Sequence, residues 1–134
     1  MPALLDDLCA SLSGQLPGLT LDCTSDAISI DADQAVAVGL LITELVTNAA
    51  KHAYAVDGGK VSVSATLKGE SVCLTVRDYG AGLPDTFDIR AGSSTSLGLQ
   101  LIRTLARSLH GAVDAKSDAG AHFIVTFPAD VGKA

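Results

Sequence analysis

The chain has 134 residues, a length that suits one domain, and it carries a formal net charge of −6 from 15 Asp and Glu against 9 Lys and Arg. A nucleic-acid groove needs clustered Lys and Arg, so this acidic balance argues against DNA or RNA as a ligand. Hydrophobic residues make up 48% of the chain and aromatic residues only 4%, which predicts a folded domain with an aliphatic core.

The apolar runs and the cysteines bear on the compartment. The longest apolar runs, such as residues 35–42, are far shorter than the roughly 18 residues of a membrane span. Cys9, Cys23 and Cys73 make an odd count without C-x-x-C spacing. We therefore expect free thiols in a reducing cytoplasm, with neither a disulfide framework nor a zinc site.

The N-terminal third predicts a helix, two short strands and a longer helix. Leucines recur at helical spacing until Pro17-Gly18 stops the pattern, and strands are expected at residues 19–23 and 27–30. Asp31, with Gln34 three residues later, resembles a capping box and predicts a helix that runs to about residue 54.

The middle of the chain predicts a hairpin followed by a polar segment. Apolar and polar residues alternate over residues 61–67 and 72–76, on either side of a turn at residues 68–70. A glycine-bearing loop over residues 78–84 comes next. The polar segment 85–95 buries little, and we expect it to be mobile.

The last third completes an α+β fold. Leucines at helical spacing predict a second long helix over residues 97–109, ended by Gly111 just past its last turn. Strands are expected at residues 112–117 and 121–127. Helices and hairpins in this order predict a two-layer sandwich, with helices on one face of a mixed, mostly antiparallel sheet.

The predicted helix that begins after Asp31 carries four polar residues on one stripe. Glu44, one of two glutamates in the chain, precedes Asn48 by four residues, and Lys51 and His52 extend the stripe by a turn. The stripe borders the apolar arc, so we expect it at the rim of the core. These groups could hold a metal-bound phosphate, because Mg²⁺ prefers oxygen ligands. A solvated helix face, with a packed boundary histidine, is the alternative that the residues leave open.

Two further segments carry glycines at positions that suit a ligand. In Asp78-Tyr-Gly-Ala-Gly-Leu-Pro, a strand runs out into a carboxylate and two glycines, which can accept a hydrogen bond and let backbone approach a ligand. Ser96-Leu-Gly-Leu opens a helix whose first amides favour an anion. Each segment alone is also typical of an ordinary turn or helix cap, and the sequence contains no P-loop.

In this order the three segments resemble the N box and the two glycine boxes of the GHKL (Bergerat-fold, HATPase_c) ATPases. TELVTNAAKHAY at 43–54 and SLGLQLIRTLA at 96–106 look like the catalytic ATP-binding domain of bacterial sensor histidine kinases of the HWE and HisKA_2 groups. The resemblance covers residues 4–127. It implies a kinase that uses ATP and Mg²⁺ to phosphorylate a histidine.

The resemblance also implies a role for each matching residue. Asn48 would coordinate the Mg²⁺ that bridges the ATP phosphates, and Glu44, a further candidate metal ligand, would orient or deprotonate the nucleophile. Lys51 and His52 would complete the catalytic set by contacting phosphate oxygens. Asp78 would accept a hydrogen bond from the adenine amino group. The other ATP-binding positions would be Gly80, Gly82 and Leu83 around the base, and Ser96, Leu97, Gly98 and Leu99 near the phosphates.

Residues 85–95 look like a short ATP lid, and three positions depart from the family pattern. Tyr79 replaces a common Asn, with little expected effect, and Ser96 replaces the first glycine of the second glycine box. Ala121 stands where relatives often have a Thr near adenine. The alanine side chain supplies no hydrogen bond there, which leaves that contact to a water.

The partners follow from the histidines, because His52, His110 and His122 all lie within the ATP-binding region. We expect the phosphoacceptor on a helical hairpin of the same or a partner kinase, with a response regulator as the next acceptor. Residues 1–134 would then be one domain, either excised or a stand-alone module, and a cytoplasmic monomer without membrane contact. The alternatives are an anti-sigma-factor-type serine kinase and a non-catalytic, nucleotide-gated interaction module.

Overall fold

The helices and strands follow one another along the chain in the order that the sequence patterns predict, with one exception. The computed structural model describes residues 2–15, 19–52, 59–79, 97–117 and 121–129. Within these ranges the elements are α1 Pro2–Gln15, β1 Leu19–Ser25, α2 Ala32–His52, β2 Gly59–Lys68, β3 Ser71–Asp78, α3 Leu97–Ser108, β4 Ala112–Ser117 and β5 Ala121–Pro128.

The strands form one mixed sheet in the order β1-β2-β3-β5-β4. β1 pairs with β2 in parallel, and the other neighbouring strands pair antiparallel. Parallel neighbours need a long crossover between them, and α2 supplies it. The predicted α+β fold with a mixed, mostly antiparallel sheet is confirmed.

Burial alternates along β2 and β3 and separates the two faces of the sheet. One face, here the inner face, is covered by α2, which packs against β2 and β3, and by α3, which packs against α2 and β5. Each aliphatic side chain buried here contributes about 1.5–3 kcal/mol. The largest fully buried side chains are Phe127, Leu5, Leu41, Ile42, Leu74 and Ile102, so the core is largely aliphatic as the composition predicts.

The predicted capping box at the start of α2 is confirmed. The Gln34 N–H donates to Asp31 Oδ1 at 2.7 Å, and the Asp31 N–H donates to Gln34 Oε1 at 3.1 Å. The side-chain Nε2 of Gln34 also donates to the Pro128 carbonyl at 3.1 Å. One side chain therefore caps the helix and fastens its first turn to the end of β5.

The end of α3 differs by one residue from the prediction. His110, rather than Gly111, has the left-handed conformation, with φ of 59°. The His110 N–H donates to the Arg107 carbonyl at 2.9 Å and the Gly111 N–H to the Ala106 carbonyl at 3.0 Å, the pattern of a Schellman motif. Gly111 serves a different purpose, because a Cβ there would lie 2.2 Å from the Thr126 carbonyl oxygen.

The strand predicted at residues 27–30 is absent, because β1 continues to Ser25 and the chain then leaves the sheet. Asp26 takes over the hydrogen bonds of a continuing strand: its N–H donates to the Ala65 carbonyl at 2.9 Å, and its Oδ2 accepts from the Leu67 N–H at 2.9 Å. Ile28 is buried in the core. Ile30 is partly buried against the same core, so two core-facing side chains produced the apolar signal that predicts a strand.

The expectation of free thiols is wrong for two of the three cysteines. Cys9 of α1 and Cys23 of β1 form a disulfide with a Cα–Cα distance of 6.8 Å, whereas Cys73 is free. α1 packs against β1, which brings together two residues that are 14 apart in sequence.

Among the helices that the structure describes, none is long and apolar enough to cross a membrane.

Candidate functional site

One contact fixes the direction of α2 across the sheet. Gln34 is bonded to Pro128, and Pro128 pairs with Ser71 at the start of β3. From there α2 extends for about 31 Å at 1.5 Å per residue, along the inner face. Its C-terminal half therefore lies toward the opposite end of β3, where Asp78 is the last residue.

The direction of α3 follows in the same way. Gly111, just beyond the helix, lies against Thr126 and Phe127 of β5, and Phe127 pairs with Val72 near the start of β3. α3 thus ends where α2 begins, and the two packed helices run antiparallel. The first turn of α3 consequently lies toward the same sheet end as Asp78, called here the Asp78 end.

Asp78 is the one buried charged residue among those that the structure describes, with 5% of its surface exposed. It pairs with Val61 of β2 and continues the inner-face series of β3. A carboxylate in such a place costs free energy unless hydrogen-bonding groups compensate it. Its burial under the helix layer therefore makes Asp78 a candidate for a functional group.

Glu44 and Asn48 lie at the rim of the core, as the sequence predicts. Both are half-buried, while Leu45 and Ala49 beside them are buried. Because they are four residues apart on α2, their side chains occupy one face of the helix. A carboxylate and a carboxamide oxygen are thus presented from the half of α2 that lies toward the Asp78 end.

The remaining predicted residues are described in part or not at all. Lys51 and His52 lie in the last turn of α2, and Leu97–Leu99 lie in the first turn of α3. The structure describes the backbone of these residues but not their side chains. Residues 80–83, Ser96 and the predicted lid at 85–95 lie outside the described residues. Ala121 begins β5 at the Asp78 end, opposite Ser117 of β4.

Tyr79 has a role that the sequence reasoning missed. Its hydroxyl lies 3.0 Å from that of Ser62, and its ring lies 5.2 Å from the Arg77 guanidinium and 5.7 Å from the Lys60 ammonium. These contacts hold Tyr79 on the outer face of the sheet while Asp78 faces inward. The period-two alternation of β3, continued by one residue, is the signal that could have placed it.

The chemistry of the site suits a metal that arrives with a phosphate. Among the described residues there is no group of three or more His, Cys, Asp or Glu side chains that could hold a metal ion. Mg²⁺ is usually bound by one or two protein oxygens together with waters and substrate phosphates. Glu44 and Asn48 offer that small number of oxygen donors.

Comparisons with known proteins identify relatives over most of this fold. Residues 33–131 match the family of histidine kinase-, DNA gyrase B- and HSP90-like ATPases. The sensor histidine kinase PdtaS of Mycobacterium tuberculosis is 42% identical over 78 residues, which are 57% of this chain and 15% of that protein. The anti-sigma F factor of Bacillus licheniformis is 41% identical over 59 residues, 43% of this chain and 40% of that protein.

A solved structure has the same fold. The blue-light activated histidine kinase EL346 of Erythrobacter litoralis superposes with a TM-score of 0.85 at 23% identity, over 98% of this chain and 42% of the other. The chain therefore spans less than half the length of each of these three proteins.

Proposed function

Because the chain belongs to the family of histidine kinase-, DNA gyrase B- and HSP90-like ATPases, we propose that it is the ATP-binding catalytic domain of a two-component sensor histidine kinase. The observation that carries the proposal is that three segments lie toward the same end of the sheet: the Glu44–Asn48 stripe, buried Asp78 and the first turn of α3. The amino-acid sequences of residues 43–54 and 96–106 support assignment to the HWE or HisKA_2 group of sensor histidine kinases.

Adenine recognition is assigned to Asp78. Its carboxylate would accept a hydrogen bond from the exocyclic amino group of adenine, and its burial strengthens that bond because the local dielectric constant is low. Gly80, Gly82 and Leu83 would line the space around the base. Ala121 would leave the second contact to the base to a water.

Phosphate binding is assigned to the two helix ends. Asn48, with Glu44 as a further oxygen donor, would hold Mg²⁺, which when bound neutralises charge on the phosphates. Lys51 and His52 would contact phosphate oxygens from the last turn of α2. The amides of Leu97, Gly98 and Leu99, preceded by Ser96, would donate to the phosphates at the positive end of the α3 dipole.

The chemical step is an in-line phosphoryl transfer to a histidine outside this chain. A bond forms between the acceptor imidazole nitrogen and the γ-phosphorus while the bond from that phosphorus to the β–γ bridging oxygen breaks, and ADP leaves. Glu44 would orient the imidazole or accept its proton. The acceptor would lie on a helical hairpin of the same or a partner kinase, and a response regulator would then receive the phosphoryl group.

Nucleotide binding is tested by calorimetry with Mg-ATP. Asp78→Asn removes a charge-assisted hydrogen bond worth about 1.5–3 kcal/mol, so we expect affinity to fall about tenfold or more. Asp22→Asn is the matched control, because Asp22 is exposed and only pairs with Lys60. Unchanged affinity in Asp78→Asn, with the fold intact by circular dichroism, would show that the adenine assignment is wrong.

Transfer is tested with radiolabelled ATP and a separately prepared phosphoacceptor hairpin of a histidine kinase. We expect an acid-labile product, and Glu44→Gln should lower the transfer rate by about 10²-fold or more while ATP still binds. Glu70→Gln, which alters the other glutamate in an exposed turn, is the control. Equal loss in both variants would contradict the role of Glu44.

An anti-sigma-factor-type serine kinase is the second candidate, favoured by the similarity to the anti-sigma F factor. Offered an anti-sigma-factor antagonist protein, a serine kinase would give an acid-stable phosphoserine. A nucleotide-gated module without catalysis would bind ATP and give neither product.

A further inference from the structure

A groove lies between α2 and α3 at the end of the domain opposite Asp78. It encloses about 630 Å³ between the start of α2 and the end of α3, and Pro128 and Ala129 close it where β5 ends. Its apolar lining on the helices is Val36, Ala37, Leu40, Leu105 and Leu109. This α2–α3 groove shares no described residue with the proposed nucleotide site.

Two apolar residues that line the groove, and a third on the same helix pair outside its lining, are left exposed by the fold. Val36 is 63% exposed, Leu40 one turn later is 49% exposed, and Leu101, one turn before Leu105 on α3, is 38% exposed. They are three of the five large hydrophobic residues that are exposed in the described part of the chain. Scattered exposed leucines are ordinary, but a contiguous apolar patch marks a surface that binds something.

The charges around the groove select the kind of partner. Asp31 and Asp33 stand at the start of α2, and no Lys or Arg is among the described residues that line the groove. A second copy of the chain would bring the same carboxylates and a further net charge of −6 to the contact. Like charges brought together oppose association, whereas a cationic partner is attracted.

The shape selects the element that the partner presents. Two packed helices 8–10 Å apart leave a straight apolar trough between their ridges, and such troughs accept an amphipathic helix through side chains at i, i+3 or i+4, and i+7. Leu105 and Leu109 of α3 line one side of this groove, and Val36 and Leu40 of α2 line the other.

We propose that the α2–α3 groove is the docking site for an amphipathic helix of a partner protein, with Lys or Arg at the end that lies beside Asp31 and Asp33. The inference does not rest on the kinase assignment. The docked helix would leave the Asp78 end open, so the partner could bind the domain while nucleotide is present.

The test uses three synthetic peptides and the ¹⁵N-labelled chain. One peptide is a helix with Leu at helical spacing and Lys at its ends, the second has Glu in place of Lys, and the third is a scrambled Lys peptide of the same charge. We expect only the first to bind, with chemical-shift changes confined to residues 31–40, 101–110 and 128–129. Val36→Ser combined with Leu40→Ser should weaken it about tenfold or more, whereas Leu67→Ser, at another exposed apolar residue, should not.

A charge variant provides a second readout that does not alter the apolar surface. Asp33→Lys should weaken the Lys peptide and strengthen the Glu peptide, because Asp33 is exposed at the rim. Equal binding of the scrambled peptide, shifts on the outer sheet face, or no effect of the double variant would overturn the proposal. A concentration-dependent dimer abolished by the double variant would overturn it in favour of a second copy.

Discussion

Gly111 lies too close to β5 to carry any side chain. A Cβ there would meet the Thr126 carbonyl oxygen at 2.2 Å and the Phe127 Cβ at 2.8 Å. Both are parts of a paired strand, so neither can move without disturbing the sheet. Glycine at this position therefore allows the end of α3 to pack directly against β5.

Gly111→Ala should destabilise the domain by about 2 kcal/mol or more, because overpacking forces backbone shifts. Gly39→Ala is the matched control: Gly39 lies within α2 with nothing within 4 Å of its added Cβ, so that change should stabilise by about 0.5–1 kcal/mol. Urea unfolding of both variants measures the difference. A Gly111→Ala protein as stable as the unchanged chain would contradict the close packing.

At the scale of the elements, the Gln34 side chain makes two hydrogen bonds, one that caps α2 and one that joins α2 to β5. Gln34→Ala loses the bond to the Asp31 N–H and the bond to the Pro128 carbonyl, and we expect a loss of about 1–2 kcal/mol in the free energy of unfolding. Asp33→Ala, an exposed change in the first turn of α2, should cost about 0.3–1 kcal/mol. Urea unfolding distinguishes the two, and equal small losses would show that the cap contributes little.

The Cys9–Cys23 disulfide ties α1 to the edge strand β1. A cross-link that closes a loop of about 15 residues stabilises by about 3 kcal/mol, mainly by restricting the unfolded chain. Reduction, or Cys9→Ser, should therefore lower the urea midpoint, and Cys73→Ser should leave the effect of reduction unchanged. Three titratable thiols in the unreduced protein would show that the bond does not form.

Local patterns predicted the elements, and contacts between distant segments account for the errors. The capping box and the alternation in β2 and β3 depend on neighbours in sequence, so they were readable. The disulfide depends on α1 packing against β1, and the need for glycine at 111 depends on a strand 15 residues further on. The buried Ile28 gave a strand-like signal because burial alone does not reveal backbone pairing.

For the candidate site, the sequence motifs identified candidate segments but not their arrangement in the fold. Counted from Glu44, Asp78 and Ser96, the first glycine box lies 34 residues after the N box, and the second lies 18 residues after the first. Contacts between distant segments, among them the bond from Gln34 to Pro128 and the contact of Gly111 with β5, orient α2 and α3 so that the three segments lie toward one end of the sheet. The hydroxyl contact of Tyr79 depends on Ser62 of the neighbouring strand β2, and no local motif predicts that contact.

At the scale of the whole molecule, we expect the isolated chain to be a monomer of 13.6 kDa. Its net charge of −6 opposes self-association, and the apolar surface of the α2–α3 groove is bordered by carboxylates. Light scattering over a range of concentrations measures the mass. A dimer that persists at every concentration would contradict this expectation.

The β2–β3 turn specifies which face of the sheet the Asp78 side chain occupies. Lys68 pairs with Ser71 across a two-residue turn in which Gly69 has φ of 62°, and this pairing fixes every later pair up to Val61 with Asp78. Side chains alternate between faces, so pairing slipped by one residue would turn Asp78 outward and Tyr79 inward. A glycine about 26 Å from Asp78, at 3.3 Å per residue, thus determines on which face of the sheet the proposed adenine contact can form.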